Sequence, residues 1–414
     1  MKTVVLGAGV IGITTAYYLN KAGHDVTVIE RNAHAGLETS YANGGQLSYS
    51  YVAPLAGPGV VPKIPPWLLR RDSPLRFYPK LDPDQWRWLL AFIAACNRPQ
   101  AEISTVHLLR LAYYSRDLIH DIVAHEKITF DYRRNGKLVI FSDDEGFDGA
   151  KKTLDFQREH GSQQEAFSRQ QVLDKEPALE HIASRISGGI YTPSEDAGDC
   201  HDFCVAMEAL LRERGVKFLT GTTINKIERY GKSITSVHTT QGNITADAYV
   251  MALGAANAST AKSLGFYLPI YPLKGYSLTL ATEGFAGAPH ISVTDSKYKV
   301  VYALLGSELR IAGMADIAGH DRSLQADRVS LLIAQAKATF PNAADYGADL
   351  KPWAGLRPAT PKGTPIIGKS PFNNLYLNTG HGALGWTLAC ACAKIVADTI
   401  TDKPAEIALD GLTL

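Results

Sequence analysis

MKTVVLGAGVIGITTAYYLNKAGHDVTVIER, residues 1–31, decides the fold. Thr3 to Leu6 reads as a short apolar strand. Gly7-Ala8-Gly9-Val10-Ile11-Gly12 then turns into a helix running to about Lys21, and Gly23 closes it. Asp25 to Ile29 forms a second strand ending at Glu30. In a dinucleotide site Gly7 allows the tight turn, Gly9 lets backbone approach a pyrophosphate, and Gly12 lets helix and strand pack closely. The helix, opened by Val10 and Ile11, offers N–H groups and a positive dipole end to the phosphates. Glu30, followed by Arg31, stands 18 residues beyond Gly12, where a carboxylate can accept hydrogen bonds from both ribose hydroxyls. A bare G-x-G-x-x-G is weak, but here strand, glycines, helix, strand and acid arrive in order. Two rival readings are a secretory signal and a turn that binds nothing. Three glycines inside the run, and no small-residue cleavage site after it, count against the first.

A chain of 414 residues exceeds one simple core and suggests two domains, possibly interleaved. Hydrophobic residues at 45% and charged residues at 20% suit a globular enzyme, and a net charge of +1 steers it toward neither nucleic acid nor acidic partners. Cys96, Cys200, Cys204, Cys390 and Cys392 are few and unpatterned, so no metal site is expected and a reducing compartment fits. No charge-free apolar run of about twenty residues occurs, so no spanning helix is expected.

Beyond Glu30, residues 33–66 are rich in Gly, Ser, Asn and Pro and read as a long ordered loop. Thr39, Ser40 and Asn43 offer hydrogen bonds, while Gly44 and Gly45 let backbone press against a flat ligand; an inter-domain linker is the alternative. Residues 67–96 set Trp67, Trp86 and Trp88 among leucines and the bases Arg70, Arg71, Arg76, Lys80 and Arg87. That is the composition of an interfacial membrane helix, or of a buried helix with a solvated loop. Strands and helices alternate thereafter, with Asp199 placed to cap a helix from His201 to Arg214. The strand Ala248 to Leu253 ends in a small-residue turn at Gly254. Near the end, NTGHGALGWT (Asn378–Thr387) is a second glycine-rich turn opening a helix, and so a second anion site.

Together with ETSYANGGQ (Glu38–Gln46), YPLKGYSLT (Tyr271–Thr279) and WAGLRPATPKGTPIIG (Trp353–Gly368), these motifs resemble the FAD-dependent amino-acid oxidase and dehydrogenase superfamily over the whole chain, above all its bacterial D-amino acid dehydrogenases. The resemblance implies an α/β fold: a doubly wound, Rossmann-like FAD-binding domain (1–50, 195–260, 345–414) interleaved with an α+β substrate domain on an antiparallel sheet (51–194, 261–344). It assigns Gly7, Gly9, Gly12 and Glu30 to the ADP half of FAD. Thr39, Ser40, Asn43, Gly45, Gln46 and Leu47 go to the isoalloxazine, and Gly254 closes over the cofactor. Gly380, His381, Gly382, Leu384, Gly385, Trp386 and Thr387 form the turn at the flavin N1/O2 edge, where a helix N-terminus stabilises reduced flavin.

Arg357 matches the carboxylate-binding arginine of related oxidases, and Tyr276 is expected to add a second bond to that carboxylate. An interface arginine and a core tyrosine are the alternatives. Lys274 is read as a cofactor neighbour or salt-bridge partner. The implied reaction is hydride transfer from Cα of a D-amino acid to flavin N5, with electrons passed to a quinone or other respiratory acceptor. It needs positioning more than an acid–base pair. The implied location is cytoplasmic, or peripheral on the cytoplasmic side of the inner membrane through residues 67–93. An oxygen-using oxidase of glycine-like or secondary amines, an L-amino acid or hydroxyproline dehydrogenase, and a silent flavin-binding subunit remain open.

Overall fold

The computed structural model describes residues 1–63, 73–348 and 350–414. Trp67, Arg70 and Arg71 of the tryptophan-rich stretch lie outside the described residues. Lys2–Leu6 occupies the middle of a six-stranded sheet, parallel to Asp25–Ile29 on one side and to Ala248–Met251 on the other. Lys217–Leu219 extends one side; Leu375–Thr379 and the antiparallel Ile366–Lys369 complete the other. This is the expected doubly wound sheet, closed by strands from the far end of the chain.

The helix Val10–Lys21 is buried along most of its length against Gly385–Ile400 and Cys200–Glu213. Gly385–Ile400 is buried over most of its circumference, with Lys394 and Asp398 paired near its end. The segment Gly382–Ile400 is long and apolar enough to cross a membrane, yet 72% of it is buried inside the protein, so it serves here as a core helix. Asp199 caps Cys200–Glu213 as expected, its Oδ1 accepting from His201 N–H at 2.7 Å and Asp202 N–H at 3.2 Å.

The second sheet is mostly antiparallel, and its longest strand, Tyr271–Ala281, lies next to one edge, with its residues buried on both faces except at the last position. Trp353–Ala359 pairs along one edge of it and Glu308–Ile317 along the other. Lys137–Phe141 joins in parallel to Ser292–Asp295. Trp353–Ala359 therefore lies in this sheet, although the sequence reading puts residues 345–414 in the FAD domain; its partner, some 80 residues upstream, is invisible to local pattern.

The pairing with Glu308–Ile317 shifts register between Lys274 and Tyr276, so Met314 and Ala315 bulge opposite Gly275. Met314 adopts φ +62, a costly conformation for a side-chain-bearing residue. Just past the bulge, Asp316 is fully buried against Arg328 of the helix Ala326–Thr339. Arg328 Nε donates to Asp316 Oδ1 at 3.0 Å, and Tyr276 Oη donates to Oδ2 at 2.8 Å. Removing one partner of such a pair leaves a lone buried charge. Arg328→Met is expected to lower the unfolding free energy by about 3–5 kcal/mol in urea titration.

Candidate active site

The first glycine turn is built as a phosphate seat. The first bond of its helix is Ile13 N–H to Gly9 O at 2.9 Å, and Val10 N–H donates to Ser40 Oγ at 3.0 Å. The other N–H groups of the opening turn are left for an anion. A Cβ at Gly12 would collide with the Gly7 carbonyl, so that glycine is needed by the fold. At Gly9 a Cβ would meet only Ser40 Oγ, at an ordinary 3.5 Å. Nothing in the protein demands glycine there; close approach of a ligand does. Glu30, buried at the end of its strand, accepts Ala8 N–H at 2.8 Å and Asn32 N–H at 2.9 Å, which fixes the carboxylate beside the turn. Arg31 is exposed and pairs with Glu38, which also binds Arg322 at 2.8 Å.

Between the two sheets' edges opens a cavity of about 260 Å³. Its walls are mostly apolar, among them Leu55, Leu75, Trp88, Phe92 and Leu273. Among the described residues its titratable lining groups are Arg357, His381 and Lys299, with no carboxylate. Arg357 shares a sheet face with its cross-strand partner Leu273 and with Gly275. Its guanidinium lies over Gly275, where any Cβ would strike it. Arg357 Nη1 donates to Met314 O at 2.8 Å, so the bulge aims a carbonyl at it. Among the described residues it has no carboxylate partner within ion-pair distance. Burial, only partly offset by Asp316, pulls its pKa below the ordinary guanidinium range. It stays charged at any working pH. A desolvated cation at the wall of an apolar cavity, with no counter-ion among the described residues, has the chemistry to take a carboxylate.

The profile of the FAD dependent oxidoreductase (DAO) family matches residues 2–399. The chain belongs to this family. Relatives include D-amino acid dehydrogenase 2 of Ralstonia nicotianae, 48% identical over 99% of this chain and 98% of its own. The D-amino acid dehydrogenase of Paramagnetospirillum magneticum is 43% identical over 100% and 98%. Glycine oxidase from Geobacillus kaustophilus shares the fold, with a TM-score of 0.78 at 22% identity over 100% of this chain and 97% of its own. L-proline dehydrogenase from P. horikoshii does so at 0.75 and 19%, over 100% and 96%. FAD is the cofactor, and the glycine seat fits its pyrophosphate.

The other expected FAD contacts divide between two ends. Ser40, expected near the flavin ring, has its hydroxyl on Val10 N–H at the phosphate turn. Thr39 Oγ1 donates to Leu356 O at 2.8 Å and ties the loop to the Arg357 strand. Asn43 Oδ1 accepts Gly45 N–H at 3.0 Å, while Asn43 O accepts from Arg310, itself paired with Asp199 at 2.9 Å. Gln46 donates to Val293 O and Tyr302 O, and Leu47 is wholly buried. Gly254 and Gly382 have positive φ and open space where a Cβ would stand, whereas Gly380 packs on Thr360. His381, Gly382 and Leu384 line the cavity, and Gly385 starts the final helix.

Two expected residues point elsewhere. Tyr276 lies on the sheet face opposite Arg357 and donates its hydroxyl to Asp316, so it does not reach the cavity. Trp386 turns into the core against Phe130 and Phe203, its Nε1 donating to Gly198 O at 3.1 Å. Lys274 makes the salt bridge that was one of its two readings, to Asp321 at 2.7 Å. Gly275, Met314 and Lys299 carry the cavity's geometry without having been singled out. Gly275's place beside Arg357 emerges only from strand register.

His381 is buried, its Nε2 lacks a partner, and burial pushes its imidazole from 6.5 down to about 3. The unfolded chain binds this proton near pH 6.5 and the folded one only near 3, so acidification across that window favours unfolding. His381→Asn is expected to flatten the pH dependence of urea unfolding between about pH 6 and 4, by up to ~1.4 kcal/mol per unit. Tyr276→Phe is expected to cost about 1–2 kcal/mol of stability while leaving KM for substrate within about twofold.

Proposed function

We propose that the protein oxidises D-amino acids to 2-oxo acids and ammonia, with FAD taking the electrons and a quinone or other respiratory carrier receiving them. The observation that carries this is Arg357, a cation with no carboxylate partner among the described residues, set in a mostly apolar cavity. Its two parallel N–H groups fit a carboxylate side by side and so orient Cα as well as bind it. The apolar walls take the side chain and exclude water from the reacting carbon. FAD, when bound, supplies a two-electron acceptor for the hydride leaving Cα. The product is an imine, which water converts to oxo acid and ammonia. Neutral His381 adds no further positive charge to the cavity that Arg357 and Lys299 line. The D configuration draws its support from the relatives' names.

Membrane contact through part of residues 67–93 belongs to the same reading. In the helix Pro83–Ala95, Trp88 and Phe92 face inward to the cavity, while Trp86, Leu90 and Ile93 form an exposed stripe at i, i+4 and i+7. Leu81, just before the helix, is fully exposed, and Lys80 stands beside it. An apolar stripe next to a base suits the surface of an anionic bilayer on its cytoplasmic side.

Anaerobic mixing with D- and L-amino acids tests the first part. D-amino acids alone should bleach the flavin, and a quinone should reoxidise it faster than air; bleaching by L-amino acids or glycine only would sink the assignment. Arg357→Met is expected to raise KM about 100-fold, with Arg357→Lys between the two because an ammonium cannot pair bidentately. For the surface, Leu90→Asp/Ile93→Asp should abolish co-flotation with vesicles containing anionic lipid while leaving flavin reduction intact. Wild-type protein that does not float would remove the membrane part.

A further inference from the structure

A second buried set of charges lies away from the cavity and takes no part in the chemistry above. It surrounds Gln46–Tyr51, the segment that follows the glycine-rich loop. Ser48 sits between two partners: Lys137 Nζ donates to its Oγ at 2.8 Å, and its own N–H donates to Thr387 Oγ1 at 3.0 Å. Tyr49 Oη donates to Asp196 at 2.9 Å, and Asp196 also holds His120 at 2.7 Å and Tyr132 at 2.8 Å. Ser50 N–H donates to Glu195 at 2.6 Å. Lys137 is 3% exposed, lies 4.3 Å from the Tyr51 ring centroid, and among the described residues touches no carboxylate within ion-pair distance. Glu195 is fully buried, and its second oxygen has no partner.

We propose that Lys137 is a positioning residue for the flavin, acting through Ser48 on Thr387 and on the strand Gln46–Leu47. Burying a lysine and a glutamate without direct contact destabilises a core that apolar residues would fill better. Burial duly pushes the ammonium pKa down and the carboxyl pKa up. What the arrangement provides is a buried ammonium joined to the start of the final helix through Ser48, whose hydroxyl accepts from Lys137 and whose backbone N–H donates to Thr387. Thr387 stands on that helix's first turn, and the ammonium adds to the positive end of its dipole. Lys137 thereby holds the strand and the helix start in one register and favours negative charge on the ring that lies against them. The inference rests on the reading that Gln46 and Thr387 meet the flavin ring.

The test compares Lys137→Met, Ser48→Ala, their combination and Thr387→Val as purified flavoproteins. It reads the Kd for FAD from apoprotein titration, the visible absorption band and the flavin midpoint potential. Lys137→Met and Ser48→Ala should each weaken FAD binding about tenfold and make the potential more negative, and the double variant should be no worse than the more affected single. If Lys137→Met alone does not fold, Lys137→Met/Glu195→Gln leaves no lone buried charge and serves in its place. Unchanged potential and Kd in the lysine variants beside a shifted Thr387→Val would overturn the role of Lys137 and leave the flavin site standing. Silence in Thr387→Val as well would overturn both.

Discussion

A guanidinium that meets no carboxylate among the described residues of its own protein constrains everything around it. Arg357 is held by one carbonyl, and that carbonyl is available only because Met314 takes a left-handed backbone conformation within a bulge. The bulge in turn is pinned by the buried Asp316–Arg328 pair directly after it. Strain, register and ion pair form one chain of dependence that ends on two free N–H directions in the cavity. An isolated cation in a low-dielectric space is unstable until an anion arrives, and part of the binding energy of a carboxylate is this debt relieved.

The two sheets divide the work. The six-stranded sheet presents a helix N-terminus whose backbone N–H groups fit a pyrophosphate and cannot be removed by a side-chain change. The larger sheet delivers side chains, placed by the pairing of Tyr271–Ala281 with its two neighbours. The cavity opens where the edges of both meet, with His381 and Gly382 from one and Arg357 and Leu273 from the other. A site assembled in this way needs both sheets formed before it exists.

What the sequence made legible follows the range of the interactions. Gly7 to Gly12 and Glu30 could be read because strand, turn and helix are contiguous, and Asp199 because capping is local. Arg357 was singled out through family resemblance alone, and the structure places it in the wall of a mostly apolar cavity. Tyr276 was misplaced because alternation tells which residues share a face without telling which face meets the cavity. Gly275, one residue earlier, is the one beside Arg357. Trp386 was misplaced because successive helical residues diverge by about 100°. Trp386 enters the core while Thr387 meets Ser48. The strand Trp353–Ala359 joined the second sheet through pairing across a long stretch of chain, for which no local signal exists.

The contact between Arg357 and Gly275 also limits how this protein can change over time. Any side chain at position 275 displaces the guanidinium, so while Arg357 is under selection, position 275 is confined to glycine. Once a lineage gives up Arg357, that restriction lifts at once, and position 275 can drift before the fold is affected. The order of loss is thereby set: the arginine goes first, the glycine follows, and a larger residue at 275 blocks the way back. Reacquiring the activity then takes two substitutions, of which the first alone confers nothing.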